Sequence, residues 1–196
     1  MDPPPSPASA HDEPWRYWRP GGGTAVELGM VRGHDVALPI HFHEEDQVTT
    51  VHAGVRRFVI GGALVEVAAG QAVRIPAGVP HLSLPSPAGV VCTNLYLPPG
   101  APRPPAGIDL GWETVTRAAA LAGMSREGYS RRFKRLHGLA PQQFRLLDRL
   151  NDARALLRQG EAIAAVAAET GFADQSHLGR CFRRTFGVTP GRYRAG

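Results

Sequence analysis

Two histidines one residue apart, His41 and His43, are followed after three residues by Gln47, and a third, His81, closes the stretch "GQAVRIPAGVPH". Side chains two residues apart share one face of an extended strand, so His41 and His43 point the same way if this segment is β. A small closed barrel that brings His81 to them from another strand gathers three imidazoles beside one amide. Three imidazoles suit a divalent transition metal such as zinc, copper, iron or nickel. The same four side chains suit a polar pocket that hydrogen-bonds a small molecule, because neutral Gln47 leaves a dication without protein compensation. Both readings stand at this point. No catalytic residue is assigned, since Glu44, Glu45 and Asp46 read as solvated loop charges and no general base is evident. His34 and His52 fall outside the pattern and read as surface or strand residues.

A different chemistry belongs to the C-terminal part. Residues 1–110 hold 7 basic and 10 acidic side chains, a net −3, whereas residues 111–196 hold 15 and 7, a net +8. A basic helical module points to a polyanion, most often nucleic acid. In "DQSHLGRCFRRTFG", Leu178, Phe182 and Phe186 recur at helical spacing and form an apolar stripe. Gln175, Ser176, Gly179 and Arg180 face elsewhere. Glutamine matches the N6/N7 edge of adenine, arginine matches guanine O6/N7 or phosphate, and Gly179 permits close approach. Arg183, with Arg132, Arg135 and Arg184, is placed either on phosphate or on a solvated outer face. Asp174 reads as a helix N-cap, and His137 and His177 as structural.

The elements that must position these groups fall into zones. Residues 1–14, with five prolines, read as a disordered tail. Residues 15–97 favour short strands: "TAVELGM", "DQVTTVH", "RRFVI", "ALVEV", "AVRIP" and "GVVCTNLYL" are β-branched and punctuated by Gly or Pro, as in a barrel or sandwich. "WRYW", residues 15–18, reads as packing on that barrel. Residues 98–107, "PPGAPRPPAG", read as an extended linker. Beyond it the period becomes helical. Thr114 caps a helix ending at Gly123, Ser125 one ending at Gly138, and a longer helix runs from Pro141 to Gly160. Two more end at Gly171 and Gly187. The order is helix, turn, helix, long connector, helix, turn, helix. No apolar run reaches the roughly 18 to 20 residues a bilayer requires, and the N-terminus lacks signal-peptide features, so a cytoplasmic chain is expected. Cys92 and Cys181 lie far apart and read as reduced thiols.

"AAALAGMSREGYSRRFKRLHGLAP" and "AAVAAETGFADQSHLGRCFRRTFGVTP" share one plan, an internal repeat of a helix-turn-helix unit. Residues 112–196, above all "GFADQSHLGRCFRRTFGVTPGRYR", resemble the DNA-binding domain of the AraC/XylS family of transcription regulators, a domain bounded here at residues 108–196. The resemblance implies that Glu127, Ser130, Arg131 and Lys134 are the reading positions of the first unit, mounted on Tyr129, Phe133 and Leu136. Glu127 is unusual there, since a carboxylate accepts from cytosine N4 but repels phosphate. The family also places an amphipathic helix ahead of the first unit; here that place holds the linker and "IDLGW", with Ile108, Leu110 and Trp112 as an irregular plug.

Residues 33–97 resemble the cupin-type sensor domain that precedes many such DNA-binding domains. His41, His43, Gln47 and Gly54, then Gly70, Pro76, Gly78 and His81, keep the cupin spacing, with Gln47 where glutamate is usual and Pro85 where asparagine is. The fold expected is therefore an N-terminal all-β cupin barrel and a C-terminal all-α domain of two helix-turn-helix units on a long connector helix. The two resemblances together imply a sequence-specific regulator that binds double-stranded DNA and answers to a small-molecule effector, coupled through the linker or a dimer contact. RNA polymerase and a second copy of the chain are further partners. The alternative is a metal-dependent cupin enzyme carrying an accessory DNA-binding domain.

Overall fold

A computed structural model describes residues 14–100 and 114–196. The N-terminal tail, most of the linker and the Ile108–Trp112 plug lie outside the described residues. Within them, every strand precedes residue 98 and every helix lies beyond residue 114, as the two periodicities require.

Eight strands make the first part: β1 Trp15–Trp18, β2 Glu27–Gly33, β3 Leu38–His41, β4 Asp46–Ile60, β5 Ala63–Ala68, β6 Ala72–Ile75, β7 His81–Ser83 and β8 Val90–Leu97. They pair in the order β1-β2-β8-β4-β7-β3, with β5 and β6 also on β4. The pairings are antiparallel throughout. Among the described residues the path does not close on itself, so the barrel is an open roll and not the closed one expected. Its curl comes from β4, which pairs with β8 and β6 through its first half and with β5 and β7 through its second.

The sequence divides β4 into two strands, residues 46–52 and 56–60, around Gly54; the chain instead runs through without a break. Its register slips between Val51 and Ala53, with His52 the extra residue, and Gly54, two residues on, has φ of +75°. A Cβ at Gly54 would stand 2.2 Å from the Gly89 carbonyl oxygen, so only glycine fits. Three short strands escape a reading by sequence. β1 buries Trp15 and Tyr17 and exposes Arg16, a period of two too brief to stand out, while β3 contains Pro39 and β7 has three residues.

The helical part comprises α1 Val115–Leu121, α2 Arg126–His137, α3 Pro141–Arg158, α4 Ile163–Glu169, α5 Gln175–Phe186 and α6 Pro190–Ala195. Thr114, Ser125 and Asp174 cap α1, α2 and α5 as expected, each accepting from the amide three residues on. Gly138 and Gly187 end α2 and α5 in the left-handed conformation. The closing helix α6 lies beyond the expected set, although Thr189 with Pro190 after it is a cap and first-turn signature. Buried side chains of both parts join in one apolar cluster, with the Phe42 and Phe144 rings 5.0 Å apart across the boundary.

Candidate nucleic-acid interface and histidine pocket

Helix α5 exposes Gln175, Ser176, Arg180 and Arg183, and leaves Gly179 half-buried with no atom within 4 Å of a would-be Cβ. The open space means that nothing inside the chain demands glycine at 179. Behind this front Leu178, Phe182 and Phe186 are buried, with the two phenyl rings 4.7 Å apart. Asp174 Oδ1 accepts from the His177 amide at 2.7 Å, which fixes the first turn where the polar set is mounted. The ring of His177 lies 5.3 Å from Phe172, a structural placement as expected.

In the first unit Glu127, Arg131 and Lys134 are exposed, Ser130 is half-buried, and Tyr129 and Phe133 are buried. One member of the expected stripe is corrected. Leu136 is 65% exposed; His137 continues the stripe instead, its ring 4.2 Å from Phe133 and 5.8 Å from Phe144. The reason is the crossing of α3, which meets the last turn of α2 on the His137 side. The connector of 18 residues is about 27 Å long at the standard helical rise.

The structure also brings together the four side chains of the N-terminal pattern. His41, His43, Gln47 and His81 are all buried, with ring centroids 4.4 Å apart for His41 and His81, 5.0 Å for His43 and His81 and 6.2 Å for His41 and His43. Each Nδ1 meets a backbone carbonyl: Pro39 at 2.8 Å, Glu45 at 2.7 Å and Val79 at 3.0 Å. For His41 and His81 those contacts put the proton on Nδ1 and leave a lone pair on Nε2, whereas His43 meets an oxygen at each nitrogen, the Glu45 carbonyl at Nδ1 and Gln47 Oε1 at Nε2. Burial, then the neighbouring histidine rings and Arg154, push His41 and His43 well below the ordinary histidine range, and burial brings His81 to about 4. The rings are therefore neutral at pH 7. The Gln47 amide stands 2.8 Å from His43 Nε2 and 2.8 Å from Thr49 Oγ1, which reaches Asn94 Oδ1 at 2.8 Å, so a polar ladder runs up the inside of the roll.

A neutral imidazole whose other ring N–H is held by a carbonyl is the form that ligates a metal. The nearest charges are Arg56, beside His81, and Arg154, which Glu27 and Glu45 pair. The donor set, three imidazoles and one amide, suits a divalent transition metal as well as a hydrogen-bonding small molecule.

Beside the pocket lies a buried charge network that joins the two parts of the chain. Arg154, on α3, meets Glu27 at 2.6 Å and Glu45 at 3.4 Å; Arg158 meets Glu45 at 2.6 Å and Glu27 at 3.5 Å. Tyr193 of α6 donates to Glu27 and accepts from Arg154 Nε at 3.1 Å. Aromatic rings enclose the Arg154 guanidinium, with Tyr96 at 4.5 Å and Phe186 at 5.3 Å. Asn151 Nδ2 donates to the Phe42 carbonyl at 3.1 Å, Tyr17 donates to the Phe186 carbonyl at 3.0 Å, and the His41 and Phe186 rings are 6.4 Å apart.

Two expectations are overturned here. Glu45 and Asp46 are not solvated loop charges: both are buried. Burial opposes the charge of Asp46, but Arg74 at 2.5 Å and the amides of Ala77 and Gly100 outweigh it and hold the carboxyl down to about 2.

Comparison with known proteins accounts for both halves. Residues 118–196 match the helix-turn-helix domain family and residues 29–83 match the cupin domain family. The HTH-type transcriptional regulator MtrA of Neisseria gonorrhoeae is 37% identical over 81 residues, 41% of this chain and 27% of that protein. The HTH-type transcriptional activator RhaS of Escherichia fergusonii is 36% identical over 88 residues, 44% of this chain and 31% of that protein. The N-terminal part is thus similar to cupin domains and the C-terminal part to the helix-turn-helix domains of transcription regulators. The chain covers about a third or less of the length of these curated relatives. ToxT from Vibrio cholerae, crystallised with an unsaturated fatty acid, shares the fold across both domains. Its TM-score is 0.56 at 10% identity, over 92% of this chain and 94% of that one.

Across the two parts, sequence reasoning places the histidine pocket and the polar fronts of α2 and α5 but misses the charge network. One signal points toward it. Leu147, Leu150 and Leu157 mark the buried side of α3, and Asn151, Arg154 and Arg158 recur beside them at three and four residues. A charge at the edge of an apolar stripe requires a buried partner. Nothing in the sequence says that the partners are Glu27 and Glu45, more than a hundred residues away.

Proposed function

We propose that the chain is a sequence-specific, double-stranded-DNA-binding transcription regulator whose cupin pocket holds a small-molecule effector. The observation that carries the reading is the pair of capped, phenylalanine-backed helices with exposed polar fronts in the helix-turn-helix domain. The effector meets His41, His43, Gln47 and His81 by hydrogen bonds. RNA polymerase and a second copy of the chain are partners within the same proposal, and the site of action is the cytoplasm. Consistently, no helix among the described residues is long and apolar enough to cross a membrane.

Coupling runs through residues 41–45 and not only through the linker. His41 and His43 face the pocket, whereas the Phe42 carbonyl and the Glu45 carboxylate hold Asn151, Arg154 and Arg158 of the connector helix. An effector that shifts the histidines by a fraction of an ångström moves backbone atoms that the DNA-binding domain already grips. It controls binding to the extent that it prefers one domain arrangement.

The test is selection of bound duplexes from a randomised pool, then affinity measured over a salt series. Affinity for the selected duplex is expected to fall linearly with the logarithm of salt. Arg180→Ala is expected to cost roughly 1 to 3 kcal/mol and to relax the preference at one position. Binding that is blind to sequence at every ionic strength defeats the proposal. The enzyme alternative predicts stoichiometric transition metal in protein purified without added metal; the regulator reading predicts none is required for DNA binding.

A further inference from the structure

The connector helix carries two more arginines, Arg145 and Arg149, that neither the polar fronts nor the charge network uses, and Arg149 holds a turn. Its Nε donates to the Thr170 carbonyl at 2.6 Å, and its Nη2 donates to the Gly171 carbonyl. The same guanidinium covers the Phe172 ring at 4.3 Å. These three residues form the turn between α4 and α5. Thr170 is the C-cap of α4, Gly171 reverses the chain with φ of +71°, and Phe172 is buried with its amide donated back to Ala167 at 2.8 Å. Asp174, the cap of α5, comes two residues later.

The last carbonyls of a helix lack intrahelical donors, and a guanidinium supplies two in fixed geometry. With two carbonyls and one ring held by a single planar group on α3, the turn cannot rotate without breaking all three contacts. The contrast with the first unit is informative. Arg145, one turn earlier on α3, lies near Tyr129, yet its Nε and Nη2 are buried without a hydrogen-bond partner among the described residues. Of these two arginines, Arg149 alone clamps a turn.

We propose that Arg149 is a positioning residue for base reading by the second unit: it sets the direction in which α5 leaves the turn, without touching DNA itself. The inference rests on the proposed DNA-binding function. Base contacts depend on side-chain placement within a groove, whereas contacts to a uniformly charged backbone tolerate a tilted helix.

The experiment uses the full chain, a duplex recovered by selection, and a scrambled duplex of equal length. Arg149→Ala and Arg149→Lys are titrated against both at several salt concentrations, at a temperature where circular dichroism shows each variant folded. Arg149→Ala is expected to lose roughly tenfold or more in affinity for the selected duplex, the scale of one good base contact. Affinity for the scrambled duplex and the salt slope should stay as in the wild type. Arg149→Lys should behave like Arg149→Ala, because one ammonium cannot hold two carbonyls and cover a ring. Equal losses on both duplexes with a salt slope shallower by about one would make Arg149 a phosphate contact and overturn the proposal. A lowered melting temperature with unchanged discrimination would overturn it as well, leaving a role in stability alone. Should wild-type protein bind both duplexes equally, the DNA-reading function fails, and this proposal with it.

Discussion

Two ion pairs of equal length make a test of what holds the domains together. Arg154 meets Glu27 at 2.6 Å with side chains 2% and 1% exposed; Arg57 meets Glu66 at 2.6 Å with side chains 38% and 55% exposed. Distance is the same and burial is not. The buried network is balanced, with Arg154 and Arg158 set against Glu27 and Glu45. Arg154→Met keeps volume among the rings but leaves an excess buried carboxylate, a loss of about 3 to 5 kcal/mol. The lower end is expected, because Tyr193 still donates to Glu27 and Arg158 remains 3.5 Å away. Arg154→Met combined with Glu27→Gln removes one charge of each sign and leaves Arg158 on Glu45, so most of that loss should be recovered. Arg57→Ala, by contrast, is expected to cost about 0 to 1 kcal/mol, since water screens that pair. Urea unfolding monitored by tryptophan fluorescence and circular dichroism, with coincidence of the two curves as the two-state check, measures each value. If Arg154→Met costs no more than Arg57→Ala, water reaches the network and the domains are not joined as argued.

Two further outcomes can be measured on the same footing. The three pocket histidines have folded-state pKa values below the ordinary 6.5, to about 4 for His81, so the unfolded chain takes up protons first as pH falls. Stability is full above pH 6.5 and declines toward pH 4 by up to about 1.4 kcal/mol per pH unit for each histidine; His81→Gln should flatten the profile, and a flat wild-type profile would contradict neutral burial. Gly187→Ala forces a side chain to φ of +80° with its Cβ 2.5 Å from Trp15 Cδ1, whereas Gly160→Ala meets φ of +90° and open space. The second should cost about 1 kcal/mol and the first clearly more, with altered Trp15 emission; equal costs would mean that β1 does not abut α5.

The features legible in the sequence are those decided by local physics. Caps at Thr114, Ser125 and Asp174, stops at Gly138 and Gly187, and the phenylalanine stripe of α5 are each settled within a dozen residues, and each stands where the spacing places it. The histidine pocket needs one non-local step, the meeting of His81 with His41, which the cupin spacing supplies. Illegible are the features whose cause is distant. Gly54 looks like a strand end until Gly89 packs on it, Leu136 looks buried until α3 passes on the His137 side, and Glu45 looks solvated until Arg154 and Arg158 arrive.

The same distance dependence decides which reading head the cupin domain can govern. Helix α5 touches the strands directly: Phe186 gives its carbonyl to Tyr17 and its ring to His41, and Gly187 turns against Trp15. Among the described residues, helix α2 meets the strand part at its end, where Gly138 lies beside Pro80, and its buried face is reached through Phe144 of α3, whose ring lies 5.0 Å from Phe42 and 5.6 Å from Phe133. In the proposed regulator, a change at His41 therefore acts on the second unit through one contact and on the first through an intervening helix. Packed interiors transmit such shifts because they have little free volume to absorb them, and each added layer divides the displacement among more contacts. The second unit, clamped by Arg149 on one side and by the strands on the other, is the head on which effector control falls first. An effector that altered only the base preference of α2, with that of α5 untouched, would contradict this ordering.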